Sequence, residues 1–209
     1  MPANTTIGFI SQKGGVGKST LTRAFACAAS GSGLSVRIAD LDTQQGTSTS
    51  WYRRRLNNDL EPIGSVELYK TASKALNAQG DYDLLILDGP ARTSSATLEI
   101  AKASDLVVQP ASASIDDLEP AVLVFHELVR NGIPKDKLVM ALCRVGTESE
   151  EAEARAYIEQ AGYSALDSCL RERPAYRQAQ DRGLAVTETP YPSLNDRAQA
   201  MIKSLLGKL

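Results

Sequence analysis

Phe9-Ile10-Ser11-Gln12-Lys13-Gly14-Gly15-Val16-Gly17-Lys18-Ser19-Thr20 is the most informative stretch of this chain. A short apolar run enters a glycine-rich loop, and the loop opens into a helical pattern beginning at Lys18. Glycines let the backbone turn so that successive N–H groups point into one concavity, a nest for phosphate oxygens. The following helix adds unpaired N–H groups and the positive end of its dipole, about half an elementary charge. In that setting Lys18 reaches terminal phosphates and the Ser19 hydroxyl can ligate Mg²⁺. Three glycines and two lysines between a strand and a helix have little use in packing. The stretch therefore predicts nucleotide contacts from Gly14, Gly15, Val16, Gly17, Lys18, Ser19 and Thr20. An ordinary loop of this kind has glycine five positions before its second glycine. Here Gln12 takes that place, relative to Gly17, and a second lysine, Lys13, follows it.

Further apolar runs recur along the chain at residues 7–10, 36–39, 84–87, 106–108 and 138–142. Each is apolar almost throughout, as expected of strands buried on both faces of a parallel sheet. Helical patterns lie between and after them at 18–31, 46–58, 70–79, 94–103, 116–131, 148–161, 174–182 and 194–207. The alternation predicts an α/β fold: a doubly wound, mostly parallel sheet flanked by helices. With no linker, repeat or low-complexity segment, one domain over 1–209 is expected.

Ligands in such folds sit at the carboxyl edge of the sheet. Two strand ends deliver carboxylates there. Residues 36–39 run into Asp40-Leu41-Asp42-Thr43-Gln44-Gln45-Gly46, and residues 84–87 into Asp88-Gly89-Pro90. The second has the shape of a Walker B motif, an apolar strand handing one carboxylate to a Mg²⁺ shell. A lone aspartate at a strand end is ordinarily a turn or helix cap. Three of them beside this loop point instead to a Mg-nucleotide site, with Ser19 and Asp88 at the metal.

The loop from Lys13 to Thr20 resembles that of the ParA/MinD family of deviant Walker-type ATPases, closest to the short plasmid-partition forms. Asp40 to Gly46 is similar to that family's second motif, with Thr43 in place of the usual proline. The resemblance implies a P-loop NTPase fold of the SIMIBI type and an ATPase with Mg²⁺ as cofactor. It also implies a homodimer closed by ATP, in which Lys13 touches the phosphates held by the partner subunit. Asp42 would orient or activate the attacking water and Asp40 would support the Mg²⁺ beside Ser19 and Asp88, so the catalytic set is Lys13, Lys18 and Asp42. Turnover is expected to be slow, since catalysis here is mostly positioning. Many relatives carry asparagine where this chain has Cys143, which leaves Arg144 to stack on the base. The implied partners are nonspecific DNA and a ParB-like centromere-binding adaptor that stimulates hydrolysis. The implied location is cytoplasmic, on the nucleoid when ATP is bound. Longer relatives carry an N-terminal helix-turn-helix domain, for which there is no room before the first strand.

Other functional classes use a loop of this kind. A MinD-like positioning ATPase would need a membrane-anchoring terminal helix. Leu194, Ala198, Met201, Ile202, Leu205 and Leu209 form an amphipathic run, but only Lys203 and Lys208 supply positive charge, so a core-packed last helix is expected. Iron–sulfur carriers with a similar loop need paired cysteines, and Cys27, Cys143 and Cys169 are far apart in sequence. They read as buried thiols of a cytosolic protein, not a disulfide frame or a metal site. A ligase of the dethiobiotin synthetase kind would not need Lys13, and a protein cargo in place of a plasmid is a variant of the partition reading.

Charge and composition add little. Net charge is −2, and no apolar run approaches the roughly 20 residues that span a bilayer. Residues 170–209 carry seven Lys/Arg against four Asp/Glu, which makes Arg171, Arg173, Arg177, Arg182, Arg197 and Lys203 the candidates for phosphate contacts with DNA. Arg53-Arg54-Arg55 spread round a helix and read as a solvated face beside an inward Trp51. His126, within a helical pattern, reads as structural.

Overall fold

A computed structural model describes residues 4–78, 81–91 and 94–209. In chain order the elements are β1 (Thr5–Ser11), α1 (Lys18–Gly31), β2 (Val36–Asp40), α2 (Thr47–Asn57), β3 (Ser65–Leu68), α3 (Ala72–Leu76), β4 (Leu84–Ala91) and α4 (Ser94–Ala103). There follow β5 (Leu106–Ala111), α5 (Ile115–Arg130), β6 (Leu138–Leu142), α6 (Glu148–Gln160), β7 (Ser164–Ala165), α7 (Pro174–Asp181) and α8 (Pro192–Leu206).

The seven strands form one sheet in the order β3-β2-β4-β1-β5-β6-β7. Every neighbouring pair is parallel, so the sheet is parallel throughout. The central strands are buried along nearly their whole length, which is why they read as unbroken apolar runs. The outer strand β3 is buried at Val66 but exposed at Glu67 and Leu68. It lacks an apolar run, and with β7 it is a strand the sequence patterns do not signal. Residue 79 of the expected 70–79 helix lies outside the described residues; the helix itself is the short α3.

Register places the chemistry. Asp40 on β2 pairs with Asp88 on β4, and Phe9 on β1 also pairs with Asp88. The glycine loop leaves β1 at the edge where both carboxylates emerge. Close packing behind that edge requires Gly89, since a Cβ there would stand 2.7 Å from the Phe9 carbonyl oxygen.

The helices cover both faces of the sheet and bury a continuous apolar core that includes Phe9, Phe25, Phe125 and Trp51. Ala198, Met201, Ile202 and Leu205 of α8 are buried in it, with Leu194 and Leu209 packed against its margin. The last helix is thus a core element. Among the described residues no helix is long and apolar enough to cross a membrane.

Trp51 is fully buried, with its indole N–H donating to the Leu184 carbonyl at 3.0 Å. Arg55 departs from the solvated-face expectation. It is buried and its guanidinium forks onto both oxygens of Glu188 at 2.8 and 2.9 Å. Arg171, expected among surface phosphate contacts, is also buried and ion-paired to Glu151 at 3.2 Å. Arg173, Arg177, Arg182, Arg197 and Lys203 are exposed. The ring nitrogen Nδ1 of His126 lies 2.8 Å from the Tyr163 hydroxyl, a packing contact between α5 and the loop after α6.

Candidate nucleotide-binding site

The loop after β1 is shaped by two glycines in the left-handed region, Gly15 at φ 79° and Gly17 at φ 115°. A side chain at Gly17 would be strained and would also press on Cys143, whose Sγ stands 3.2 Å from the position of its Cβ. Cys143, at the end of β6, therefore supports the loop from beneath. Burial pushes its thiol up to about 12, so it is a packing group and not a nucleophile.

Gly17 is also the N-cap of α1, and a glycine has no side chain to take the first N–H groups of the helix. Thr71, Ser114 and Thr147 do that for α3, α5 and α6. The α1 terminus is left open toward a cavity of about 280 Å³ lined by Gly14, Gly15, Lys18, Ser19, Arg23 and Asp42. Donors, a dipole end and an ammonium converge there, a combination that suits phosphate. Lys18 is mostly buried, and desolvation lowers its pKa against the opposing pull of Asp88 and Asp42.

The three aspartates differ in what they have left to offer. Asp40 is fully buried and spends both oxygens on the chain. Its Oδ2 accepts from the N–H groups of Ser48 and Thr49 at 3.0 Å each, and its Oδ1 from the N–H of Asp42 at 3.2 Å. It is thereby the cap that Gly46 cannot be for α2. Burial, then the neighbouring Asp88 charge, raises its pKa against those hydrogen bonds.

Asp88 is equally buried. Its Oδ2 accepts from the Ser48 hydroxyl at 2.6 Å, whereas its Oδ1 has no hydrogen-bond partner. Burial raises its pKa, tempered by Ser48, Arg23, Ser19 and Lys18. A buried carboxylate oxygen without a partner is costly in an isolated chain, and a divalent cation beside it would remove that cost. Ser19, whose hydroxyl lies 3.1 Å from that of Thr47, stands at the same end of the cavity. These residues fit Mg²⁺ as a shared ion, completed by phosphate oxygens and water. No cluster of three or more His, Cys, Asp or Glu side chains placed to hold a metal occurs among the described residues.

Asp42 is half-exposed. Its Oδ1 accepts from the Gln45 N–H at 3.0 Å, and the side chain lines both the phosphate cavity and a larger cleft of about 600 Å³ bounded by α3 and α4.

Lys13 points the other way. Its Nζ is ion-paired with Asp117 and donates to the Asp116 carbonyl at 3.2 Å, both at the start of α5. That carbonyl lacks its usual helical donor, because the residue four positions on is Pro120, which has no N–H. Asp117 is held below the ordinary carboxylate range: burial works against this, but bonds from Lys13 and Ser112 prevail.

On the far side of the loop, Gly15, Gly17, Thr20, Arg144, Tyr176 and Gln180 border a second cavity of about 360 Å³. Arg144 lies there with φ 58° and an exposed ion pair to Glu172 at 3.1 Å. The helix α7 that lines this cavity carries no motif in the sequence, and nothing there marks its contribution. The same holds for Arg23, five residues into α1.

A family model for the CobQ/CobB/MinD/ParA nucleotide binding domain matches residues 7–186. No curated protein sequence matches the chain. Solved structures with the same fold include the cell division ATPase MinD of Pyrococcus furiosus, with a TM-score of 0.76, 16% identity and coverage of 98% of this chain and 99% of that one. The ATP complex of a McdA variant from Cyanothece gives a TM-score of 0.73 at 17% identity, covering 98% and 97%. A putative plasmid partition protein of Borrelia burgdorferi bound to AMPPNP gives 0.72 at 16% identity, covering 100% and 99%. An open helix terminus behind a double-glycine loop, set against two in-register carboxylates, is the local form of what the match finds across most of the chain: this protein belongs to the CobQ/CobB/MinD/ParA nucleotide-binding family.

Proposed function

We propose that the protein is a ParA-type ATPase for the partition of plasmid DNA, switching between monomer and ATP-closed homodimer. The observation that carries the reading is the convergence at one sheet edge of the open α1 terminus, Lys18, the unpartnered Oδ1 of Asp88 and the half-exposed Asp42. The N–H groups from Gly14 to Thr20 and the Lys18 ammonium hold the triphosphate. Ser19 and Asp88 hold Mg²⁺, and Asp40 keeps α2 and the Asp42 turn in place behind them. Mg²⁺ held by Ser19 and Asp88 would supply positive charge against the phosphate oxygens.

Asp42 faces the end of the cavity where an attacking water would stand, and orients it. Its second exposure, to the larger cleft, supports access by a stimulating adaptor of the ParB type. Arg144 and α7 border the base. Lys13 is exposed and held only at the surface of its own subunit, which supports its transfer to a partner's phosphates.

The exposed Arg173, Arg177, Arg182, Arg197 and Lys203 provide a sequence-independent attraction for DNA, brought together by the dimer. The core-packed α8 disfavours a membrane anchor. On this reading the protein works in the cytoplasm and gathers on the nucleoid when ATP is bound. Gel retention of random duplex DNA at ~50 mM salt, where phosphate contacts are strongest, is expected only with ATP and Mg²⁺. Retention that ATP does not change would remove the partition mechanism. Sedimentation with anionic liposomes, expected to fail, would point to a membrane role if it succeeded.

A further inference from the structure

Arg23 is a buried cation on the inner face of α1, only 7% exposed, and no part of the phosphate reading uses it. Its Nε donates to the Ser48 hydroxyl at 3.3 Å, and that hydroxyl donates in turn to Asp88 Oδ2 at 2.6 Å. Its Nη1 donates to Gln180 Oε1 at 3.0 Å, an oxygen that also accepts from the Thr20 hydroxyl at 3.3 Å. One guanidinium therefore joins the metal-end carboxylate on β4 to α7, the helix bordering the base-end cavity. Burial is expensive for this cation: desolvation pulls its pKa down to about 10 against the attraction of Asp88. The charge of Arg54 adds to that cost, and the indole of Trp51, 5.5 Å away, offsets part of it.

A buried charge kept at such cost, with one arm on the Ser48–Asp88 pair and the other on the α7 wall of the 360 Å³ cavity, does more than fill space. We propose that Arg23 is a positioning residue that couples the two ends of the nucleotide site. Through Ser48 it fixes the rotamer of Asp88, leaving Oδ1 without a hydrogen-bond partner. Through Gln180 it ties that setting to the position of α7. Occupancy of the metal end is then felt at the base end, and the reverse follows by linkage. A planar guanidinium suits the task because its fork points fixed donors in two directions, which a lysine cannot do. The inference rests on the proposed reading of Asp88 as the Mg²⁺ carboxylate.

The experiment measures equilibrium binding of a fluorescent ATP analogue with Mg²⁺ and with EDTA, in the wild type, Arg23→Met, Gln180→Ala and the double variant. The quantity read is the factor by which Mg²⁺ strengthens binding. Arg23→Met is expected to lower that factor about tenfold, the scale of one hydrogen bond to a charged group. Gln180→Ala, on α7 and meeting the phosphate loop only through the Thr20 hydroxyl, is expected to lower it about threefold, a smaller loss because Arg23 keeps its bond to Ser48. The double variant should lose no more than Arg23→Met alone, because both act on one chain of contacts.

An unchanged factor in Gln180→Ala, or losses that multiply in the double variant, would overturn the coupling. Gln180→Ala keeps the test decisive should Arg23→Met fail to fold. A wild type that binds the analogue without any gain from Mg²⁺ would overturn the metal reading as well, so the two failures are distinct.

Discussion

Lys13 and Lys18 sit five residues apart on one loop and are held in opposite ways. Lys18 is buried, with its charge opposed by desolvation and drawn by Asp88 and Asp42. It has no role except beside an anion. Lys18→Ala is therefore expected to abolish nucleotide binding in a fluorescence titration; retained binding would remove the phosphate assignment. Asp42 is bound to the chain only through the turn it caps, leaving an oxygen free to act on water. Asp42→Ala should keep nucleotide affinity within a few-fold while lowering steady-state phosphate release about a hundredfold or more. Unchanged turnover would exclude it from the chemistry. Both expectations come from the sequence, because they depend on residue type beside a motif. The division between Asp40 and Asp88 was not. The two look alike on paper, yet one is consumed as a helix cap and the other keeps a bare oxygen.

At the level of elements, α5 contains a gap in its hydrogen bonding. Pro120 withholds the N–H that would close onto the Asp116 carbonyl, and Lys13 takes that acceptor. Pro120→Ala would restore the helical bond and compete with the lysine. The variant is expected to melt higher, by an amount reflecting about 1 kcal/mol or more of helix stability. It should also reach half-maximal dimer, on a sizing column, at lower ATP. An unmoved ATP midpoint would show that the carbonyl does not restrain Lys13.

Glu151 is the corresponding anchor of α6. It accepts from Arg155 at 2.7 Å and from the Cys169 thiol at 2.9 Å, and it pairs with the buried Arg171. Burial alone would raise its pKa, but the Cys169 bond and the two arginines bring it below its ordinary value of 4.5. A depressed carboxylate contributes stability above its ordinary pKa and loses that contribution as pH falls through its folded value. Glu151→Gln should thus cost roughly 1–3 kcal/mol at pH 7 in urea unfolding. The gap from wild type should close below pH 4.5. A gap that stays constant with pH would mean that the charge is not what matters. Neither the Cys169 nor the Arg171 contact is foreseeable, since each partner lies well beyond the end of α6, across a loop without a motif.

At the scale of the whole molecule, the parallel sheet orders the candidate site. The order β3-β2-β4-β1-β5-β6-β7 puts the carboxylate-bearing strands on one side of β1 and the base-end elements on the other. The loop after β1 sits between them, with Lys13 at its exposed corner. If that corner serves a second subunit, ATP with Mg²⁺ should move the wild type to dimer size by light scattering. Lys13→Ala should remain monomeric while binding the nucleotide in its own site with similar affinity. A Lys13→Ala dimer of wild-type stability would assign closure to other contacts.

What the sequence alone determined is local. Glycine at φ values closed to other residues, a lysine at the start of a helix and aspartates after apolar runs carry their meaning within a few neighbours. So do the buried strands, whose two covered faces leave unbroken apolar runs. What only the folded chain decided are the properties that arise across the sheet. Edge strand β3 leaves no apolar run because one side of it meets solvent. Arg55 and Arg171 read as surface charge, and Arg23 carried no signal, until packing buried all three against distant acceptors. A cation's environment is set by partners more than a hundred residues away in the first two cases, on Gln180 and Glu188, and periodicity within one helix holds no trace of them.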